Sequence, residues 1–248
     1  MKDILKQNKA SWDAIADSFF GMTALPTYGC SIPTEKELLL FPNLRGKKVL
    51  DIGCGSGHSL KWCADNGAAE LWGVDLSTKQ IENAQHYLTE SGHAPKLFNA
   101  PMETDCGLPK NYFDVVYSIY AIGWTLDLPK TLDNIASYLK TGGTFVFSWD
   151  HPLMRHINYQ DEKLVFESSY LNEDIFSFEK GYQPFAFKLY KMSSYINAIA
   201  NAGFMVERLI EETDSETLSC DCDISSAYYA PCKAKMSPLS FIIKARKI

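Results

Sequence analysis

Apolar and polar positions along this chain fall into two patterns. Short apolar runs predict buried strands: Val49 to Ile52, Ala69 to Val74, Tyr112 to Ser118, Gly143 to Trp149, Phe204 to Ile210 and Leu239 to Ala245, with a shorter one at Ala94 to Asn99. Elsewhere apolar residues recur at helical spacing. Trp12, Ile15, Ala16 and Phe19 mark a helix within residues 1–20, and Leu60, Trp62, Cys63 and Ala64 mark one after the first strand. Ile81, Ala84, Tyr87 and Leu88 mark another, as do Leu132, Ile135, Ala136 and Leu139. Met192 to Ala202 is helical with Gly203 as its cap. A capping box at Thr34 and Glu37 opens a further helix, with Leu38, Leu39, Leu40 and Phe41 as its buried face. Strand and helix alternate from residue 48 onward, which predicts an α/β fold.

The first strand ends in the most informative stretch, Lys48-Val-Leu-Asp-Ile-Gly-Cys-Gly-Ser-Gly-His58. It reads as strand, glycine turn and helix. Glycine reaches positive φ without penalty and lets a ligand approach bare backbone. The helix start offers unpaired N–H groups to that ligand. Dinucleotide sites use G-x-G-x-x-G. Counted from Gly53, the last glycine of that pattern falls on His58, and the third glycine comes one residue early at Gly57. An acid, Asp51, stands two residues before the first glycine. A carboxylate there suits a ligand bearing an ammonium group better than one bearing a pyrophosphate. The form Asp-x-Gly-x-Gly-x-Gly resembles motif I of the class I S-adenosylmethionine (SAM)-dependent methyltransferases, of the broad type 11 methyltransferase-domain kind.

The resemblance extends over about residues 10–248. It is carried by Trp12 to Phe20, Phe113-Asp-Val-Val116, Leu139-Lys-Thr-Gly-Gly-Thr-Phe145, Asn197-Ala-Ile-Ala-Asn-Ala-Gly-Phe204 and Phe241-Ile-Ile-Lys-Ala-Arg-Lys247. It implies a Rossmann-like, seven-stranded, mostly parallel sheet with helices on both faces. The last strand would run antiparallel between the fifth and sixth. It implies one domain over residues 1–248, with a helical cap at 1–45 and a substrate-side insertion at 150–190. It also implies S-adenosyl-L-methionine as cofactor, S-adenosyl-L-homocysteine as product, and direct SN2 transfer to a small organic acceptor.

Carried over residue by residue, the resemblance makes Asp51, Gly53, Cys54 and Gly55 the cofactor turn, with Asp51 beneath the methionine part. Asp75 closes the second strand, beside Leu76, where an acid accepts both ribose hydroxyls. Asp75 equally suits a helix start beside the dipole. Tyr28 lies in a loop rich in glycine and proline and would line the pocket. Ser118 ends the fourth strand. Tyr120, Ile122 and Trp124 beyond it would face the adenine or the acceptor, or pack in the core. The family commonly has Gly-Asp-Ala-Glu after its third strand. Here Pro101 replaces that Asp and Met102 the Ala. Proline has no N–H and no side-chain acceptor, which leaves the Met102 backbone and Glu103 to meet the adenine.

Composition narrows the picture. A chain of 248 residues suits one α/β domain. Its hydrophobic fraction of 46% and charged fraction of 22% are ordinary for a globular protein. A net charge of −6 argues against a broad nucleic-acid face. Neither Asn-Pro-Pro-Tyr nor Asp-Pro-Pro-Tyr occurs, so the base- and glutamine-methylating families are disfavoured. No apolar run approaches the roughly 20 residues of a membrane span, and no signal-peptide core is seen. A cytoplasmic protein is expected, a monomer or homodimer acting on a small molecule, with neither nucleic acid nor membrane as partner. Seven cysteines, an odd number, suggest no disulfide framework. Cys220-Asp-Cys222 with Cys232 departs from the C-x2-C zinc pattern, so no metal is expected.

At Asp150-His151-Pro152 the alternation breaks. Residues 150–187 carry many aromatics, among them Phe176, Phe178, Phe185 and Phe187. They predict a lid over the sheet's C-terminal edge, or a hairpin that thickens the core. Aromatic walls suit a small organic acceptor. His151 follows a strand end at the expected pocket and is the candidate general base, because an imidazole titrates near neutrality. Asp150 and His156 are the runners-up, and a purely structural histidine is the alternative. Two other functions fit the same turn: an NAD(P)-dependent oxidoreductase, and a SAM-binding protein without transferase activity.

Overall fold

A computed structural model describes residues 2–161, 163–221, 225 and 227–248. The chain begins with α1 (Lys2–Ile15), extended by a 3-10 turn at Ala16–Phe19. The helix α2 (Glu35–Leu38) is a single turn. Its capping box forms as the spacing predicts, with the Thr34 N–H donating to Glu37 Oε2 at 2.8 Å. The expected extension through Phe41 does not. The buried Glu35 carboxylate accepts from the N–H groups of Leu40 and Phe41 and turns the chain. Leu39 takes φ of 50° and is 74% exposed instead of facing the core.

The alternating body follows: β1 (Lys48–Ile52), α3 (His58–Asp65), β2 (Glu70–Asp75), α4 (Thr78–Glu90), β3 (Lys96–Asn99), β4 (Phe113–Ile119), α5 (Leu128–Tyr138) and β5 (Leu139–Asp150). Two hairpins come next, β6 (Ile157–Gln160) with β7 (Lys163–Phe166) and β8 (Ile175–Lys180) with β9 (Gln183–Lys188). The chain ends with α6 (Met192–Asn201), β10 (Phe204–Ile210), the short α7 (Ser215–Ser219) and α8 (Pro231–Ala234), and β11 (Ser240–Lys247). The stretch from Glu211 to Met236 holds the two short helices α7 and α8. Cys222 of the Cys-x-Cys pair lies outside the described residues.

Seven strands form one sheet in the order β10-β11-β5-β4-β1-β2-β3. β11 runs antiparallel between β5 and β10, and the other pairings are parallel. Each face is covered. Leu50, Phe113, Phe145 and Phe241 are buried in one cluster, and Val49, Val115, Tyr117 and Ile242 in the other. Fully burying side chains of this size contributes about 1.5–3 kcal/mol each. Gly142 and Gly143 sit in a bulge at the start of β5, where the register passes from Phe113 beside Leu139 to Val115 beside Thr144.

The order of strands reverses between β1 and β4, and ligands of open parallel sheets bind at such a switch point, beyond the strands' C-terminal ends. A roof covers that edge here. In α1, the Asn8 side chain donates to the Ala186 carbonyl at 2.6 Å and accepts from the Ala186 N–H at 3.0 Å. Ser11 Oγ donates to the Pro184 carbonyl at 2.6 Å. On its other side α1 is tied to the start of α4, where Ser77 Oγ donates to Asp13 at 2.6 Å. Among the described residues no helix is long and apolar enough to cross a membrane.

Candidate functional site

Beneath the roof lies a cavity of about 610 Å³. One end is built by the turn between β1 and α3. Gly53, Gly55 and Gly57 all have positive φ, of 81°, 48° and 82°. Side chains are also excluded by space, since a Cβ on Gly53 would lie 2.3 Å from the Ala121 Cβ. Asp75 ties this turn to the end of β2. Its Oδ2 accepts from the Gly55 N–H at 2.9 Å and its Oδ1 from the Ser77 N–H at 2.8 Å. Burial, helped by the charge of Asp13, pushes the Asp75 carboxyl up to about 6, although both amides oppose the shift.

Asp51 lies deeper, 2% exposed, and its Oδ1 is buried without a hydrogen-bond partner. Burial, with the charge of Asp75, raises its pKa well above the ordinary carboxylate value, against the Tyr117 hydroxyl. A buried carboxylate left unpaired is costly, so a cationic ligand group beside it is stabilised. Cys54 and Leu76 also line this end, as do Pro101, Met102 and Glu103. The Met102 carbonyl accepts from Asn134 Nδ2 at 3.2 Å, and Glu103 Oε1 from the Leu126 N–H at 3.0 Å.

The other end is an aromatic chamber. Trp124 is its hub, with ring centroids 5.2 Å from Trp12, 5.9 Å from Trp149 and 5.5 Å from Phe185. Gly123 makes that packing possible, because a Cβ there would meet the Trp149 ring at 1.8 Å. Tyr120 stands between the two ends. It holds φ of 54°, a conformation that bulky residues adopt only when their surroundings impose it. Its hydroxyl donates to Asp150 Oδ1 at 2.6 Å and pairs with Ser240 Oγ at 2.8 Å. Asp150 also accepts from the Tyr229 hydroxyl at 2.8 Å and the Tyr228 hydroxyl at 3.2 Å. Burial raises the pKa of all three tyrosines, so each remains a donor.

Five sequence-predicted residues lie elsewhere; Ile122 packs in the core and His156 is buried beside Ser168. Tyr28 is fully buried beneath the loop, its hydroxyl donating to Glu35 at 2.6 Å. Ser118 is also fully buried and donates to the Ile52 carbonyl at 2.6 Å, bracing β4 against β1. His151 is the larger correction. Its ring lies behind the chamber wall, 5% exposed, and does not line the cavity. Nε2 donates to Glu211 at 2.8 Å and Nδ1 accepts from the Leu153 N–H at 3.3 Å. The reason is local: His151 lies just past the end of β5, where its ring is held by Glu211 beyond β10 and by the turn at Leu153, while Asp150 lines the cavity. Burial lowers the His151 pKa, against the pull of Glu211. Asn8, Arg155, Lys180, Tyr228 and Tyr229 line the cavity without having been singled out in the sequence. The run of aromatics from Phe176 to Phe187 was the one signal that pointed toward that wall.

A family model described as a methyltransferase domain matches residues 30–207. The chain belongs to that family. An uncharacterized protein of Haemophilus influenzae is 30% identical to this methyltransferase over 223 residues, which cover 85% of each chain. A sterol 24-C-methyltransferase of Gibberella zeae is 34% identical over 119 residues, 45% of this chain and 31% of that enzyme. In fold, the crystal structure of a SAM-dependent methyltransferase from Mesorhizobium loti is similar with a TM-score of 0.69 at 22% identity, over 85% of this chain and 95% of that one.

A class I methyltransferase draws its methyl group from S-adenosylmethionine, and the residues present fit that donor. The unpaired Asp51 oxygen suits an ammonium group, the side-chain-free turn at Gly53 admits a ligand against backbone, and Asp75 offers a carboxylate at the strand end.

Proposed function

We propose that this methyltransferase moves a methyl group from S-adenosylmethionine to a small organic acceptor held in the aromatic chamber. The observation that carries the reading is one continuous cavity. It joins the glycine turn, Asp51 and Asp75 at one end to Trp124, Trp149 and Phe185 at the other.

The donor, when bound, supplies an electrophilic methyl on a positively charged sulfonium. The chain's own residues then bind, orient and exclude water. Asp51 compensates the donor's ammonium and Asp75 takes the ribose hydroxyls. Gly53, Cys54, Gly55 and Leu76 line the donor beside them, and Met102 and Glu103 flank the adenine. Tyr120, fixed by Asp150 and Ser240, separates donor from acceptor. Holding two reactants in line can itself lower a barrier by roughly 7–11 kcal/mol, and a base is needed only where the acceptor arrives protonated. Asp150, with the hydroxyls of Tyr120, Tyr228 and Tyr229 gathered on it, is the buried carboxylate on the acceptor side, whereas His151 does not line the cavity. The net charge of −6 supports a small molecule over nucleic acid. A cytoplasmic monomer or homodimer completes the reading.

The test is calorimetric titration with S-adenosylmethionine, S-adenosylhomocysteine and NADH in parallel, followed by labelled-methyl transfer to a panel of small acceptors. Binding of both adenosyl ligands, and transfer that Trp124→Ala removes while S-adenosylhomocysteine still binds, is the expected result. Binding of NADH alone, or transfer to nucleic acid alone, overturns it.

A further inference from the structure

Among the described residues, the buried wall at the acceptor end has spare hydrogen-bond donors, while its one buried carboxylate has no spare acceptor. Asp150 is already saturated: Oδ1 takes the hydroxyls of Tyr120 and Tyr229, and Oδ2 takes Tyr228 and the Arg155 guanidinium. Arg155 is the opposite case. A guanidinium carries five N–H donors. Arg155 makes one long hydrogen bond, Nη2 to Asp150 at 3.5 Å, and its Nε is buried without a partner. Its side chain is 19% exposed and braced by rings, with Cζ 4.2 Å from the Tyr228 centroid, 4.9 Å from Phe176 and 5.2 Å from Phe187. Stacking of this kind fixes the plane of the fork. Lys180, at the end of β8, lines the same cavity. Its ammonium sits over the Phe19 ring at 4.3 Å and within reach of the Asp150 and Arg155 charges. It forms no ion pair among the described residues.

A wall offering donors to an apolar, ring-lined space recognises a ligand that is itself apolar and ends in a hydrogen-bond acceptor. A planar fork matches a carboxylate in two parallel bonds. The cations are few: Arg155 is partly engaged by Asp150, and Lys180 stands with the exposed Glu179 at the rim, which suits a single anionic group better than a polyanion such as a diphosphate. We infer that the methyl acceptor is an aromatic monocarboxylic acid, its ring seated among Trp124, Trp149 and Phe185 and its carboxylate taken by Arg155 and Lys180. This inference rests on the acceptor-chamber reading above.

The experiment titrates the S-adenosylhomocysteine-loaded protein with two matched pairs: indole-3-acetate against indole-3-acetamide, and 4-hydroxybenzoate against 4-hydroxybenzamide. A charge-assisted pair contributes enough that each acid should bind at least about tenfold more tightly than its amide. Lys180→Met, an exposed change at the rim, and Arg155→Gln should each shrink that preference to roughly two- to threefold or less. Equal binding of acid and amide by the wild type, or a preference intact in both variants, overturns the inference while the methyltransferase reading stands. Failure of the wild type to load S-adenosylhomocysteine overturns both.

Discussion

Donor binding should weaken in acid, and Asp75 sets where. Its carboxyl is pushed up to about 6 by burial and the Asp13 charge, whereas the role proposed for it, accepting ribose hydroxyls, belongs to the ionised form. If the ligand binds only with Asp75 ionised, the apparent Kd rises by one plus ten to the power (pKa − pH). That is about 1.1-fold at pH 7, about twofold at pH 6 and about elevenfold at pH 5. Asp51, also raised by burial, acts in the same direction. Stability runs the other way. The folded pKa lies above the ordinary 3.8, so in the ligand-free protein this group favours folding below about pH 4 and loses that contribution as pH rises through about 6. The rise in Tm caused by S-adenosylhomocysteine should therefore grow from pH 5 to pH 7. The assay is calorimetric titration with S-adenosylhomocysteine at pH 5, 6, 7 and 8 at fixed ionic strength, for wild type and Asp75→Asn. The variant loses charge-assisted bonds of about 1.5–3 kcal/mol, so at pH 7 it should bind at least about tenfold more weakly and with a flatter pH profile. A Kd constant from pH 5 to 8 in the wild type, or Asp75→Asn binding unchanged at pH 7, would refute the reasoning.

Three further changes probe the turn, the roof and the discarded base. Gly53→Ala places a Cβ 2.3 Å from Ala121 at φ of 81°. Left-handed strain of about 1–2 kcal/mol should lower Tm by roughly 2–8 °C and abolish S-adenosylhomocysteine binding; retained affinity would contradict the role of the bare turn. Asn8→Leu leaves the Ala186 N–H and carbonyl unpaired, at about 1–3 kcal/mol each, and should speed proteolysis within residues 1–20. An unchanged cleavage rate would show that α1 is held by something else. His151→Gln should lower Tm through loss of the Glu211 contact and leave the pH profile of methyl transfer in place; a vanished basic limb would restore histidine as the base.

The parts of the molecule legible in sequence are those in which neighbours along the chain are neighbours in space. The glycine turn reads directly, because three positive-φ glycines and the acids at the ends of β1 and β2 are local features. The seven strands read well for the same reason. Helix α2 read too long, because its end is dictated by the Glu35 side chain folding back onto Leu40 and Phe41. Tyr28 and Ser118 have the chemistry of pocket residues, but each spends its hydroxyl on an internal acceptor. His151 and Asp150 differ by one residue, but the His151 ring is held by Glu211, 60 positions further along the chain, a contact that spacing could not reveal. The acceptor wall was the least legible. Arg155, Lys180 and Tyr228 come from three separate segments after β5, and no periodicity links them.

The bonds between Asn8 and Ala186 join residues 178 positions apart. During synthesis at about 5–20 residues per second, α1 leaves the ribosome roughly 10–35 seconds before the strand that covers it. All strands of the donor end, from β1 to β5, are made in that interval. The nascent chain must therefore carry the apolar side of α1 without its partner while the nucleotide half is already able to fold. A short-lived partner for that helix, on the ribosome or within the chain, would guard it until β9 arrives.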